Sequence, residues 1–166
     1  MAGIGILPWS PLKGGLLTGK WGRDVAAPAG SRAAWVAENP GKKTQAQPLP
    51  KDFHDEKTYA LLDAMREMSE KRGGSSGDGS GGSGASIAQV ALRWAMQKPG
   101  VAAVVIGAKS VDQLEDNLAA WRWSLSEEEM TLLDELSAPE IPYPYEMIWR
   151  CNRSKGRNWV LPTTWH

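Results

Sequence analysis

The residues best equipped for chemistry in this 166-residue chain lie in two loops. The more telling is Ile106-Gly107-Ala108-Lys109-Ser110-Val111-Asp112-Gln113-Leu114-Glu115-Asp116-Asn117. Gly107 lets a ligand come close to the backbone, Lys109 supplies a cation, and Ser110 opens a helix whose first N–H groups lack partners within the helix. A cation beside a helix start is an anion site, most naturally for a phosphate. One turn further, Gln113, Asp116 and Asn117 offer donors and acceptors at neighbouring helical positions, enough to hold a planar heterocycle. The other loop, Trp9-Ser10-Pro11-Leu12-Lys13-Gly14-Gly15-Leu16-Leu17-Thr18-Gly19-Lys20, is glycine-rich and basic.

Each of these residues also has an ordinary structural reading. Ser110 and Gln113 form a capping box with or without a ligand. Lys109, Lys20 and Arg32 are cations of the kind usually just solvated, and Trp9 at the end of an apolar run fits a core. Asp116 and Asn117 fit a solvent-facing helix surface. The Gly77-x-Gly79-x-x-Gly82 match to a dinucleotide fingerprint is set aside, because it follows a charged helix and not a strand. Glu127, Glu128 and Glu129 occupy a first helical turn, where the dipole favours negative charge, so their role is structural.

The elements that must position the loops follow from periodicity. Gly3–Pro8 is a short apolar run ended by proline and reads as a buried strand. Residues 21–50 have little period and form a long irregular connection. Residues 55–72 carry Leu61, Leu62, Met65 and Met68 at helical spacing. Residues 73–84 are Gly and Ser apart from Asp78 and predict a flexible linker. Ser86-Ile87-Ala88-Gln89 has the form of a capping box and opens a helix with Ile87, Val90, Ala91, Trp94 and Ala95 facing inward. Val101–Ile106 is continuously apolar between glycines and predicts a strand buried on both faces, as in parallel sheets. A helix follows with Val111, Leu114, Leu118 and Trp121 on one face, then another opened by the capping box Ser126–Glu129. Residues 138–166 read as an irregular tail.

A helix between two apolar strands implies βα repeats and a parallel sheet. Two strands cannot close a barrel or satisfy their own edges, so the chain reads as part of something larger.

Composition narrows the function classes. Nineteen basic and nineteen acidic side chains cancel, which gives no electrostatic reason to expect nucleic acid or an anionic membrane as partner. Cys151 is the single cysteine, and His54 and His166 are the only histidines, too few donors for a catalytic metal. No stretch approaches the length of a membrane span, and the N-terminus lacks a charged region before its apolar run, so a cytoplasmic location is expected.

The two loops together resemble a known family. Trp-Ser-Pro-Leu-x-x-Gly-x-Leu-Thr-Gly-Lys and Ile-Gly-Ala-Lys-x-x-x-Gln-Leu-x-Asp-Asn look like the seventh- and eighth-strand loops of the aldo-keto reductases, closest in pattern to the potassium-channel β-subunit-like branch. The likeness covers Ile4–Lys20, Ser31–Arg32 and roughly Ser86–Ser137. It implies an α/β fold, a partial (β/α)8 TIM barrel comprising about the last two βα units, a C-terminal helix and the tail, as one unit over residues 1–166. It also implies NADP(H) as cofactor and, for the full-length parent, a small-molecule carbonyl substrate. Ser10, Pro11, Leu12, Lys13 and Gly14 would lie along the pyrophosphate, with Lys20 and Arg32 reaching the phosphates. Lys109, beside Gly107, would neutralise the 2′-phosphate. Gln113, Asp116 and Asn117 would hold the adenine end, and Trp9 would stack on the nicotinamide.

The family's catalytic tyrosine, lysine, aspartate and histidine come from earlier strands, for which this sequence has no matching segment. Tyr59, Tyr143 and Tyr145 lack the family context, so no catalytic residue is assigned and the chain alone is expected to be inactive. The alternatives are a non-catalytic redox-sensing subunit of a partner protein and a fragment without function.

Overall fold

A computed structural model describes residues 4–20, 28–31, 34–35, 38–39, 55–74, 84–139, 143–145, 147 and 151. Residues 75–83 of the linker expected at 73–84, most of the 21–50 connection and most of the 138–166 tail lie outside the described residues.

Helix α1 spans Glu56–Lys71. It starts because the Asp55 carboxylate accepts the Thr58 amide at 2.7 Å, which also holds that carboxyl below its ordinary value. Glu56 in its first turn and Lys71 in its last both suit the helix dipole. The predicted apolar stripe Leu61, Leu62, Met65 and Met68 is buried as expected. Helix α2, Ile87–Met96, is capped by Ser86, whose hydroxyl accepts the Gln89 amide at 3.1 Å. Helix α3, Val111–Ala119, is capped by Ser110 and runs into a 3-10 turn, Ala120–Arg122. Helix α4, Glu127–Ser137, opens on a complete capping box: Ser126 accepts the Glu129 amide, and the Glu129 carboxylate accepts the Ser126 amide. Among the described residues no helix is long and apolar enough to cross a membrane.

Helix α2 is the hub. It packs against α1, α3, the 3-10 segment Lys13–Thr18 and the turn Ala120–Arg122, while α1 also packs on α4. The core joins Leu61, Met65 and Met68 of α1, Ile87, Val90 and Ala91 of α2, and Leu125 and Leu133 from the C-terminal part. Trp94 and Trp123 pack against its edge. Their indole N–H groups find acceptors at 2.6 Å on Asp134 and 3.2 Å on Gln89. Lys98 also binds Asp134 and lies over the Trp94 ring.

The two expected strands lie side by side and parallel, with bridges Ile6–Val101 and Trp9–Val105. The Ile6 amide donates to Gly100 O at 2.8 Å, Ala102 to Ile6 O at 2.9 Å, and Val105 to Pro8 O at 2.9 Å. These are isolated bridges and not continuous strands. The expectations of a buried strand at Gly3–Pro8 and of burial on both faces at Val101–Ile106 fail: Ile4, Ile6 and Leu7 are exposed, and so is Val105. Pro8, Val101, Val104 and Ile106 are half-buried, so the pair is only partly covered by the described residues.

Helix α3 turns its apolar face outward, with Val111 69%, Leu118 58% and Trp121 78% exposed, and its one buried residue is Asn117. The polar side of α3 is instead drawn onto the start of α2 by hydrogen bonds to Asp116.

Candidate functional site

Parallel pairing sets the geometry of the two loops. Because Pro8 O accepts the Val105 amide and Trp9 bridges Val105, both chains leave the pair at the same end. The first loop therefore begins at Ser10 beside the point where the second begins at Ile106.

The first loop holds its shape through unusual backbone. Ser10 has φ 54° and Lys13 φ 49°, left-handed values rare for residues with a Cβ, and Gly14 and Gly15 continue the left-handed run at 66° and 100°. Such a conformation costs about 1–3 kcal/mol at a non-glycine residue, and it persists only where surrounding contacts hold it. Here Lys13 N donates to Ser10 O and Gly15 N to Leu12 O, both at 2.9 Å, and Thr18 Oγ1 donates to Gly15 O at 2.6 Å. Leu16 is buried, while Leu12 and Leu17 pack on the core. Gly19, at φ 70°, closes the segment against Ile87 so tightly that a Cβ there would collide with the isoleucine side chain. Pro11 and Gly14 are half-buried, whereas Lys13 and Lys20 present their side chains to solvent. Trp9 is 80% exposed.

In the second loop, Gly107 is exposed and open space surrounds the position a Cβ would take. Ser110 Oγ accepts the Gln113 amide at 3.3 Å, and Gln113 Oε1 accepts the Lys109 amide at 3.0 Å. The Gln113 carbonyl oxygen is thus turned back on the helix start, one residue beyond the reciprocal box expected from the sequence. Lys109 Nζ donates to Gly30 O at 3.1 Å, which brings the 28–31 turn against the start of α3. Ser31 Oγ accepts the Ala34 amide at 3.1 Å. Arg32 lies outside the described residues.

Asp116 is not a loose surface carboxylate. Its Oδ2 accepts from Ser86 Oγ at 2.9 Å and its Oδ1 from Gln89 Nε2 at 2.7 Å. Asn117 beside it is buried. Sequence reasoning missed Ser86 and Gln89 as partners of the site: the Ser-x-x-Gln spacing signalled a reciprocal cap, but the Gln89 side chain reaches across to α3. Only the burial of Gln89 on a face crowded with apolar residues distinguishes the two roles, and spacing alone does not carry that. Among the described residues no group of three or more His, Cys, Asp or Glu side chains is placed to hold a metal. Tyr59 is half-buried on α1, and Tyr143 and Tyr145 are exposed.

A sequence profile described as "Aldo/keto reductase family" matches residues 1–138, and the chain belongs to this family. The family's fold is a (β/α)8 barrel, and its members generally use a nicotinamide cofactor on small-molecule carbonyl compounds. The chain is 31% identical over 81% of its length to YrpG, an uncharacterized oxidoreductase of Bacillus subtilis, covering 32% of that protein. It is 31% identical to the L-glyceraldehyde 3-phosphate reductase of Escherichia coli over 80% of this chain and 33% of the relative. A putative voltage-gated potassium channel subunit beta of Schizosaccharomyces pombe is 29% identical over 81% of this chain and 34% of its own length. The chain spans about a third of the length of these relatives.

Proposed function

We propose that this chain is the NADP(H)-binding portion of an aldo-keto reductase, a part of the barrel that holds the cofactor for hydride transfer to an aldehyde or ketone. The observation that carries this reading is the parallel pairing of 6–9 with 101–105, which sends both loops out of one end. In a parallel barrel that is the end where sites are built.

The residues fit the cofactor chemically. The left-handed run at Lys13, Gly14 and Gly15 curves the backbone of the first loop, and curvature of this kind forms concavities that suit anions. Ser10, Pro11, Leu12, Lys13 and Gly14 would follow the pyrophosphate, with Lys20 and Arg32 at its edge. Lys109 is exposed, and among the described residues its ammonium donates to a neutral carbonyl, which a phosphate exchanges favourably. The Ser110 helix start adds backbone dipole beside it. Asp116 is presented as an acceptor toward the adenine end, with Gln113 and Asn117 alongside. The exposed Trp9 ring is available to stack on the nicotinamide. When bound, the nicotinamide supplies the hydride; the chain's own share is binding and orientation.

In this reading residues 1–166 form one unit, about the last two βα units of a barrel with a C-terminal helix and tail. The exposed apolar residues of both bridged segments are the surfaces that a closed barrel covers. The tyrosine, lysine, aspartate and histidine of the family reaction have no counterpart here, so the chain binds cofactor without turnover, in the cytoplasm. A redox-sensing binding subunit is the second reading, favoured by the likeness to a protein named as a potassium channel subunit beta.

Titration of the folded chain with NADPH, followed by tryptophan fluorescence or calorimetry, tests the proposal. Binding without consumption of NADPH in the presence of an aldehyde is expected. A chain that melts cooperatively by circular dichroism yet binds no NADPH overturns the cofactor assignment.

A further inference from the structure

The Asp116 carboxylate is oriented by a relay that begins at an indole. Trp123 Nε1 donates to Gln89 Oε1 at 3.2 Å, and Gln89 Nε2 donates to Asp116 Oδ1 at 2.7 Å. An indole N–H is only ever a donor, so the Gln89 amide must turn its oxygen to Trp123 and its NH2 to Asp116. The orientation is therefore dictated by chemistry, in a side chain that is otherwise free to flip. Ser86 completes the arrangement. Its hydroxyl accepts the Gln89 backbone amide at 3.1 Å, which leaves its own proton for Asp116 Oδ2 at 2.9 Å. Gln89 is 5% exposed and Asp116 half-buried, so the carboxylate is fastened without being sealed from solvent.

Among the described residues, both groups that hydrogen-bond Asp116 donate to it. The carboxylate is thus held as an acceptor, with lone pairs left over for a further donor. Adenine carries such a donor in its exocyclic amine, whereas hypoxanthine carries a carbonyl oxygen at the same position. We infer that Gln89, oriented by Trp123, is a positioning residue that fixes Asp116 as a reader of the exocyclic amine and so sets base specificity in the dinucleotide site. The inference rests on the NADP(H) reading above and adds to it a specificity determinant on α2.

The test compares the affinities of the full chain for NADPH and for its hypoxanthine analogue. The wild-type chain favours NADPH by about tenfold or more, the equivalent of one charge-assisted hydrogen bond. Asp116→Asn, whose amide can offer either group, brings the ratio near unity. Gln89→Met keeps the length of the side chain but removes the donor. Trp123→Phe keeps Gln89 but releases its amide to flip. Both variants bring the ratio down severalfold, with circular dichroism confirming the fold, while Lys109→Ala weakens both ligands and leaves the ratio as it was. The second relay variant keeps the test open should Gln89→Met not fold. No binding of either dinucleotide by the folded wild-type chain overturns the cofactor reading itself. An unchanged ratio in Asp116→Asn removes Asp116 from the base and the relay with it. A ratio lost in Asp116→Asn but intact in folded Gln89→Met and Trp123→Phe overturns the positioning role alone.

Discussion

Arg72, just past the end of α1, closes on Glu129 in the first turn of α4 through two hydrogen bonds, NH1 to Oε1 at 2.8 Å and NH2 to Oε2 at 2.6 Å. The same guanidinium donates to Met68 O at 2.9 Å and lies 4.8 Å over the Trp123 ring. Both side chains are largely shielded, at 24% and 20% exposure. A parallel two-pronged pair in such surroundings is better placed than an open surface ion pair.

The pair makes folding sensitive to acid. Hydrogen bonding to Arg72, with further help from the Ser126 amide, holds the Glu129 carboxyl below the usual carboxylate range. A depressed folded-state value contributes stability that is fully present above the unfolded value and is lost as pH falls through the folded one. Thermal melts taken from just above the ordinary glutamate range downward should therefore show Tm falling with pH, and more shallowly in Glu129→Gln. At neutral pH Glu129→Gln should cost about 1.5–3 kcal/mol, since the Arg72 cation loses its charged partner.

Lys109→Ala separates the two nicotinamide cofactors. If the ammonium meets the 2′-phosphate, affinity for NADPH falls by about 1–2 kcal/mol, while NADH, which lacks that phosphate, is little affected. Equal losses on calorimetry would place Lys109 elsewhere on the ligand.

Gly19→Val tests how the first loop is anchored. The left-handed φ of 70° and the contact with Ile87 leave no room for a side chain. A loss of about 1–3 kcal/mol is expected in denaturant unfolding, from overpacking and backbone strain together. Gly15→Ala, where open space surrounds the backbone, should show the strain cost alone.

Leu133→Ala probes the core between α1, α2 and α4. Leu133 is fully buried. Truncation should cost about 2–5 kcal/mol, read as a shift of the unfolding midpoint. Trp121→Gln on the open face of α3 should stay within about 0.5 kcal/mol of the parent.

Much of this was legible in the sequence for reasons that are local. The Leu61–Met68 stripe and the Ser126–Glu129 box declared α1 and α4, because helical spacing and end-capping depend on nearby residues only. The start of α3 at Ser110 followed from the same rule. What escaped was non-local. Ser86 and Gln89 read as a self-contained cap, yet Gln89 spends its side chain on Asp116 and Trp123, 27 and 34 residues away. Val111, Leu114, Leu118 and Trp121 formed an apolar face whose period said nothing of what it would meet. Gly3–Pro8 was expected to be buried and Val101–Ile106 to be covered on both sides, and such a run reports its own apolarity but not whether other elements lie over it.

The outward face of α3 also governs how the chain behaves in bulk. Nineteen positive and nineteen negative side chains leave no net charge at pH 7, so no long-range repulsion keeps copies apart. Exposed Val111, Leu118 and Trp121 then present a surface that water favours pairing off. Solubility should be poorest near neutral pH, worsen with sulfate, and improve when this stripe alone is made polar. In colloidal terms, the side of α3 turned away from Asp116 joins the open residues of the bridged segments in limiting the concentration at which the chain can be kept as single molecules.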